Sequence, residues 1–437
     1  MDAFSILLLV VSLVVLVQSL FALYMTCYSW EHPERLAASN GPREFELSDL
    51  SFSVIVPARN EAAVIYETIR HIWAADYPLR RLGESDQDWL ERKRRLLEIV
   101  IVCHADDLAT IDEARRAARD TGSDQVRVVT FAGGPINKPH GLNVGLATTS
   151  NEVVTVFDAE DDIHPAIFNV IATVMDREGV GIVQSGVQLM NFRSHWFALQ
   201  NCLEYYFWFK SRLHFHADQG MIPLGGNTVF IRRSLLERVG GWDEHCLTED
   251  ADVGIRLSAL GEPIRVVYDA DRVTREETPV STDSLIRQRT RWHQGFLQIL
   301  RKGDWLHLAT RRQRILALIT LSYPFVQLPL YALWPLAVLG AAVIHVPLVV
   351  AIATYLPLYA LLLQGLVTFV GAWMFAREYH ERLPIRTFLL LVITFLPYQW
   401  VLAFSSARAV YREFEDKGDW EKTDHLGAHR QLAEVHL

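Results

Sequence analysis

The sequence predicts an α/β domain with a largely parallel sheet, joined to a set of apolar helices. Three observations predict it. Strand-like and helix-like segments alternate between about residues 51 and 303. Polar and charged clusters stand at successive strand ends. Long uncharged runs flank this stretch on both sides, and they exceed what a soluble core helix needs.

The first flanking run, Phe4 to Cys27, carries no charge and is about long enough to cross a bilayer. A cleaved signal peptide would offer a Lys or Arg before it, whereas here Asp2 stands there. Basic residues follow instead, at Arg35 and Arg43, so a signal anchor is expected, with the amino terminus outside and the following segment in the cytoplasm. The expected layout is an anchor over 1–30, a cytoplasmic domain with interfacial helices over 45–305, a multi-span region over 306–410 and a cytoplasmic tail over 411–437.

Within the domain, FSVIVP (Phe52 to Pro57) reads as a buried strand, followed by the helical NEAAVIYETIRHI. LLEIVIVC (Leu96 to Cys103) is a second strand and TIDEARRAARD its helix. VRVVTF precedes the helical HGLNVGLAT, and EVVTVFDAEDD gives a fourth strand. In such sheets ligands bind beyond the carboxyl ends of the strands. Arg59, Asn60 and Glu61 stand after the first, and His104, Asp106 and Asp107 after the second. Gly133, Gly134 and Lys138 follow the third, and Asp158, Glu160, Asp161 and Asp162 the fourth. A single polar turn is ordinary. Four in succession point to a site.

Asp158 and Glu160 at a strand end can reach one hard cation, Mg²⁺ or Mn²⁺, which prefers carboxylates together with diphosphate oxygens. Lys138, after a Gly-Gly turn, suits a phosphate as a point charge. GGWDEHCLTEDADVG gathers Glu249, Asp250 and Asp252 at the start of a helix, where acids also favour the helix dipole. His195 to His216 and Leu285 to Trp305 mix aromatic with basic residues, as helices at a membrane surface do. On the second, Gln288, Arg291 and Trp292 fall at i, i+3 and i+4, on one face.

The four cysteines are scattered without metal-type spacing, consistent with a reducing compartment and no disulfide framework. A formal net charge of −9 and the lack of a basic, aromatic-interleaved tract argue against nucleic acid as a partner.

In order, VIVPARNE, HADD, NKPHGLN, DAED, GGN, GGWDEHCLTEDADVG and QRTRW resemble the membrane-integrated family 2 glycosyltransferases, the group of the cellulose, chitin and hyaluronan synthases. The tail GDWEKTDHLG is similar to the W-x-K-T-x-H ending of the bacterial cellulose-synthase-like branch. The resemblance implies a GT-A fold and inverting transfer from a UDP-sugar to a glycan acceptor, processive and coupled to export. It implies a nucleotide-sugar site of Pro57, Asn60, Glu61, Asp106, Asp107, Lys138, Asp158 and Arg291, with Asp106 or Asp107 on the uridine. Asp158 and Glu160 match D-x-D, with Glu in the second place, as ligands of Mg²⁺ or Mn²⁺. Thr248-Glu249-Asp250 matches T-E-D, with Asp250 as general base; Gln288 and Trp292 would meet the acceptor. The alternatives are single addition to a polyprenyl-phosphate or lipid acceptor, and an idle membrane scaffold.

A hydrophilic polymer cannot cross hydrocarbon unaided. Trp334, Tyr355, Tyr359, Tyr398 and Trp400 are therefore candidates to line a channel, with lipid-facing anchorage as the other reading. Two spans in Ile315 to Ala376 and one in Phe388 to Ala407 would, with the anchor, put the tail outside. Arg408, Arg412 and Lys417 favour the cytoplasm. Either the stretch around Ser322-Tyr323-Pro324 is interfacial or re-entrant, or the first region holds three segments.

Overall fold

The computed structural model describes residues 2–31, 40–332 and 346–421, with residues 34, 338–340 and 343 besides. Helix α1 (Ala3–Glu31) comes first. The domain then runs β1 (Phe52–Ala58), α2 (Ile65–Ala74), α3 (Asp86–Leu96), β2 (Leu97–His104), α4 (Leu108–Asp120), β3 (Val126–Phe131), α5 (Lys138–Thr148) and β4 (Val153–Val156). Its second half holds α6 (Ile167–Glu178), β5 (Ile182–Ser185), β6 (Val187–Leu189), α7 (Ala198–Phe207), a π-helical turn (Trp208–Arg212) and α8 (Leu213–Asp218). There follow β7 (Val229–Arg232), α9 (Arg233–Arg238), α10 (Glu249–Ala259), β8 (Ile264–Val267), β9 (Thr274–Glu276) and α11 (Thr282–Lys302). Helices α12 (Arg311–Ala332), α13 (Leu348–Glu378) and α14 (Ile385–Phe414) close the chain.

The seven-stranded sheet has the order β3-β2-β1-β4-β7-β5-β8, and β6 pairs with β9 apart from it. The first four strands are parallel, as their alternation with helices predicts. The expectation of a largely parallel sheet needs correction at β7, which is antiparallel to both β4 and β5. The reason is positional. Gly225-Gly226-Asn227 lies in the cavity at the carboxyl ends of the parallel strands, so the strand that follows can only run back. From β1 the chain moves to β2 and β3 on one side and later to β4 on the other. That switch opens a crevice beyond β1 and β4.

Phe52, Phe157, Phe168 and Phe230 interlock under the sheet, with ring centroids 5.3–6.2 Å apart. Such fully buried rings contribute heavily to the core. They hold β1, β4 and β7 in register beneath the crevice.

Among the described residues three helices are long and apolar enough to cross a membrane: Ser5–Glu31, Leu348–Glu378 and Ile385–Phe414. Helix α12, which contains Ser322-Tyr323-Pro324, is not among them. The domain is fastened to these helices by specific bonds. Ser211 Oγ donates to the Met25 carbonyl (2.9 Å), and Gln200 Nε2 to the Leu391 carbonyl (3.0 Å). Lys210 pairs with Glu378.

The channel candidates fall elsewhere. Tyr398 is buried and donates to Glu204 Oε2 at 2.5 Å, while Tyr359 and Trp400 are exposed on the outer surface. Tyr355 donates to the Val338 carbonyl. None of these four lines the central cavity. Trp334 lies outside the described residues, as do residues 422–437 of the tail.

Candidate functional site

A cavity of about 560 Å³ lies over the carboxyl ends of β1 and β4 and continues towards α1 and α12. Pro57, Asn60 and Glu61 enter it from the end of β1, and Asp158 and Glu160 from the segment after β4. Lys138 opens α5, whose N-cap Asn137 accepts from the His140 N–H at 3.0 Å.

The NKPHGLN stretch does more than present its lysine. Asn143 Nδ2 donates to the Trp242 carbonyl (2.8 Å), and Asn143 Oδ1 accepts from the Trp242 N–H (3.0 Å). Gly241 (φ +73°) passes so close that a Cβ there would lie 2.6 Å from Asn143 Oδ1. Helix α5 thereby grips the Gly-Gly-Trp turn that leads into Thr248-Glu249-Asp250.

Helix α10 begins at Glu249, with Glu249, Asp250 and Asp252 in its first turn. The three acids part ways. Asp252 is buried and engaged by Arg256 (2.8 Å) and Lys302 (2.9 Å), so it serves the local fold. Glu249 and Asp250 face the cavity. Burial, with Asp250 beside it, pushes the Glu249 carboxyl up to about 8. Burial also raises Asp250, against the opposing pull of its hydrogen bond from the Ala251 N–H and of Lys138 and Arg291. Elevated carboxyls in a cleft are a signature of acid–base work.

Lys138 Nζ sits among these groups. It donates to Asp158 Oδ1 (2.5 Å) and the Gly226 carbonyl (3.0 Å), and lies 3.9 Å from Glu249 Oε1. Burial alone would lower the ammonium; Asp158 and Glu249 outweigh it and hold it above its ordinary value.

Gln288, Arg291 and Trp292 line the cavity from α11. The predicted single face is therefore present. Gly295 lets this helix approach, since a Cβ there would lie 2.3 Å from Thr248 Oγ1 and 2.7 Å from Thr248 N. Arg289 lies under Trp292, its guanidinium carbon 4.2 Å from the ring centroid, and pairs with Glu204 at 3.0 Å.

Asp106 and Asp107 do not line the cavity. Asp107 caps α4 and accepts the Asn60 N–H at 2.5 Å, fixing Asn60 at φ 56°. Asp106 is held by Arg59 and by His104 Nδ1 (2.5 Å), and those two hydrogen bonds keep its carboxyl down at about 2.

Several cavity residues are not among the sequence-derived candidates. Asn227 donates to Asp161 (2.9 and 3.0 Å) and to Glu276, drawing the third acid of DAEDD inward. Trp420 stacks on Arg291, 4.4 Å from guanidinium carbon to ring centroid. The GGN stretch and the GDW ending flagged these places; no local pattern singles out Glu276.

No group of three or more His, Cys, Asp or Glu side chains among the described residues is arranged as a ready metal site. Asp158 and Glu160 nevertheless face one cavity, and burial together with Glu160 and Asp158 pushes Glu276 up to about 7. A hard dication needs only a few carboxylates when a diphosphate supplies further oxygens, so this donor set fits Mg²⁺ or Mn²⁺.

Comparison with known proteins agrees with this geometry. A family model described as "Glycosyltransferase like family 2" matches residues 49–295. A probable glycosyltransferase of Bacillus subtilis, YdaM, is 26% identical over 276 residues, covering 60% of this chain and 59% of its own. A beta-monoglucosyldiacylglycerol synthase of Trichormus variabilis is 26% identical over 250 residues, 56% of this chain and 49% of its own. A poly-beta-1,6-N-acetyl-D-glucosamine synthase of Staphylococcus epidermidis is 27% identical over 179 residues, 40% of this chain and 42% of its own. The chain thus spans between two-fifths and three-fifths of these relatives. Among solved structures, a mannosyltransferase of Pyrobaculum calidifontis in complex with GDP-Man and Mn²⁺ superposes with a TM-score of 0.58 at 20% identity, covering 94% of this chain and 99% of that one. The core is accordingly GT-A-like, with a mixed sheet.

Proposed function

The chain belongs to the glycosyltransferase-like family 2, whose model spans more than half of it, and on that premise we propose that this hexosyltransferase works by inversion on an acceptor hydroxyl. One observation carries the proposal. Lys138, Asp158, Glu249, Asp250, Gln288, Arg291 and Trp292 are far apart in sequence yet face one cavity.

The donor is a UDP-sugar lying across the crevice, with Pro57, Asn60 and Glu61 around the nucleotide. Lys138 and Arg291 take the diphosphate, one as a point charge and one as a planar fork. A divalent cation held by Asp158 and Glu160, when bound, supplies Lewis-acid stabilisation to the departing diphosphate. Asp250 removes the acceptor proton. Its elevated pKa makes it a stronger base once ionised, and positioned bases contribute a factor of about 10² to 10⁴. Glu249, neutral below about 8, leaves Asp250 as the ionised member of the pair.

Two acceptors fit. The Gln288, Arg291 and Trp292 face favours the end of a growing polysaccharide, extended processively and exported, with Trp292 as a stacking plane for the sugar. The continuation of the cavity to Met25 and Tyr323, on α1 and α12, favours a hydroxyl borne by a lipid. The domain faces the cytoplasm in either reading, where nucleotide sugars are made.

The test is nucleotide release by the purified full chain offered UDP-glucose, UDP-N-acetylglucosamine, UDP-galactose, UDP-glucuronate and GDP-mannose, followed by product sizing. Release with one UDP-sugar supports the proposal, and release with GDP-mannose alone would overturn its donor. Polymer then favours the first acceptor and a single-sugar lipid the second. No binding of any donor would overturn both.

A further inference from the structure

The arm of the cavity that reaches the membrane helices is not purely apolar, and its polar groups point to more than a lipid-borne hydroxyl. Met25, Arg212, His216, Thr320 and Tyr323 line it. Arg212 ends the π-helical turn Trp208–Arg212, a distortion found frequently at functional sites. Its Nε and Nη2 donate to the Thr26 hydroxyl, at 3.0 and 2.9 Å, the Tyr323 hydroxyl also bonds to its side chain, and no carboxylate among the described residues pairs with it. Beside it lie two polar atoms that are buried without a partner: His216 Nδ1, in a residue 1% exposed, and Thr320 Oγ1, in a residue 8% exposed. Buried polar atoms are rarely left so.

The depth of this recess is informative. Thr26 stands five residues before the end of α1 at Glu31, about 8 Å along the helix axis. That matches the headgroup zone, about 5 to 8 Å thick on each side of the hydrocarbon. Helix α12 begins with Arg311, Arg312 and Arg314, turns apolar, and meets the recess with Thr320 and Tyr323. The Arg212 guanidinium at this depth, an apolar exit past Met25 and Ile319, and orphaned hydrogen-bonding atoms describe a ligand with an anionic head and an alkyl tail. A neutral lipid would leave the guanidinium with two neutral hydroxyls, of Thr26 and Tyr323, and no anion.

We propose that this recess binds the phosphate of an anionic membrane lipid, and that a hydroxyl carried by the same headgroup is the sugar acceptor. The inference rests on the reading of Asp250 as the acceptor's base. In the step it implies, the headgroup hydroxyl gives its proton to the Asp250 carboxylate and its electron pair to the anomeric carbon. The bond from that carbon to the diphosphate oxygen breaks, and the nucleoside diphosphate leaves with those electrons. Arg212 is then a positioning residue that decides which lipids are accepted.

The test uses the full chain in detergent micelles, with lipid occupancy read by native mass spectrometry and phosphatidylglycerol, diacylglycerol and inorganic phosphate as probes. Phosphatidylglycerol should bind the wild type and Asp250→Asn alike and Arg212→Gln about tenfold more weakly or worse, with Arg212→Lys between. UDP binding should be equal in all four, which shows that the variants are folded. Equal phosphatidylglycerol occupancy in Arg212→Gln, equally tight diacylglycerol, or displacement of the lipid by inorganic phosphate would each overturn the site. For the acceptor role, labelled sugar should enter the anionic but not the neutral fraction of a polar lipid extract. Entry into neither fraction, with UDP still bound, overturns that role alone. Absence of UDP binding in the wild type overturns the transferase reading beneath it.

Discussion

Lys138 Nζ donates to Asp158 Oδ1 across 2.5 Å, so the cation that follows β3 is clamped to the carboxylate that follows β4. An ion pair of this kind, only partly exposed, fixes the position of the ammonium within the cavity. It also sets the potential felt by Glu249, 3.9 Å away.

Lys138→Met removes that charge. Affinity for UDP should fall by about tenfold or more, since a charge-assisted hydrogen bond is lost. Calorimetric titration measures it. Because the ammonium lowers both Glu249 and Asp250, its removal should also move the acid limb of the rate profile to higher pH.

The acidic pair gives two pH signatures of opposite sign. Glu249 is raised from 4.5 to about 8 on folding. A raised carboxyl contributes stability that is fully present below its unfolded value and lost as pH rises through the folded one. The melting temperature should therefore decline between about pH 4.5 and 8, and Glu249→Gln should flatten the decline. Turnover should move the other way, rising with pH as Asp250 ionises. Glu249 is still neutral where Asp250 ionises, so Glu249→Gln should leave the rising limb in place. A limb displaced to lower pH would contradict the assignment of Asp250 as the ionised member of the pair.

Gly295→Ala places a methyl 2.7 Å from the Thr248 backbone nitrogen, which no rotamer change relieves. Overpacking of this sort costs about 1–3 kcal/mol. We expect a lower melting temperature and loss of turnover in the single variant. The double variant with Thr248→Ala should recover little, because the backbone contact remains.

Arg289 is buried and joins Glu204 to the underside of Trp292, while Tyr398 of α14 donates to the same carboxylate. Removing one partner of such a pair costs about 3–5 kcal/mol. Arg289→Met should lower thermal stability markedly, whereas Arg289→Met combined with Glu204→Gln should recover part of it. A double-mutant cycle on melting data checks this.

Much of the site is legible in sequence because strand ends are. Asn60, Glu61, Asp158 and Glu160 follow buried strands and reach the crevice that parallel topology predicts. Gln288, Arg291 and Trp292 share a helical face that their spacing alone specifies. Local pattern fails where a side chain's task depends on a distant neighbour. Asp106 and Asp107 look alike in sequence, yet one meets Arg59 and His104 and the other caps α4. Glu276 and Arg212 are unremarkable in their own segments and acquire meaning only from Asn227 and Thr26, 49 and 186 residues away. The antiparallel β7 was hidden for the same reason, since strand direction follows from where the chain re-enters the sheet.

The most direct test compares wild type with Asp250→Asn in UDP binding and in donor turnover with Mg²⁺ or Mn²⁺ present. The account predicts unchanged UDP affinity and a rate lower by a factor of about 10² or more in the variant. Turnover that survives the substitution, with UDP bound equally in both proteins, would contradict Asp250 as the base and with it the mechanism built around the cavity.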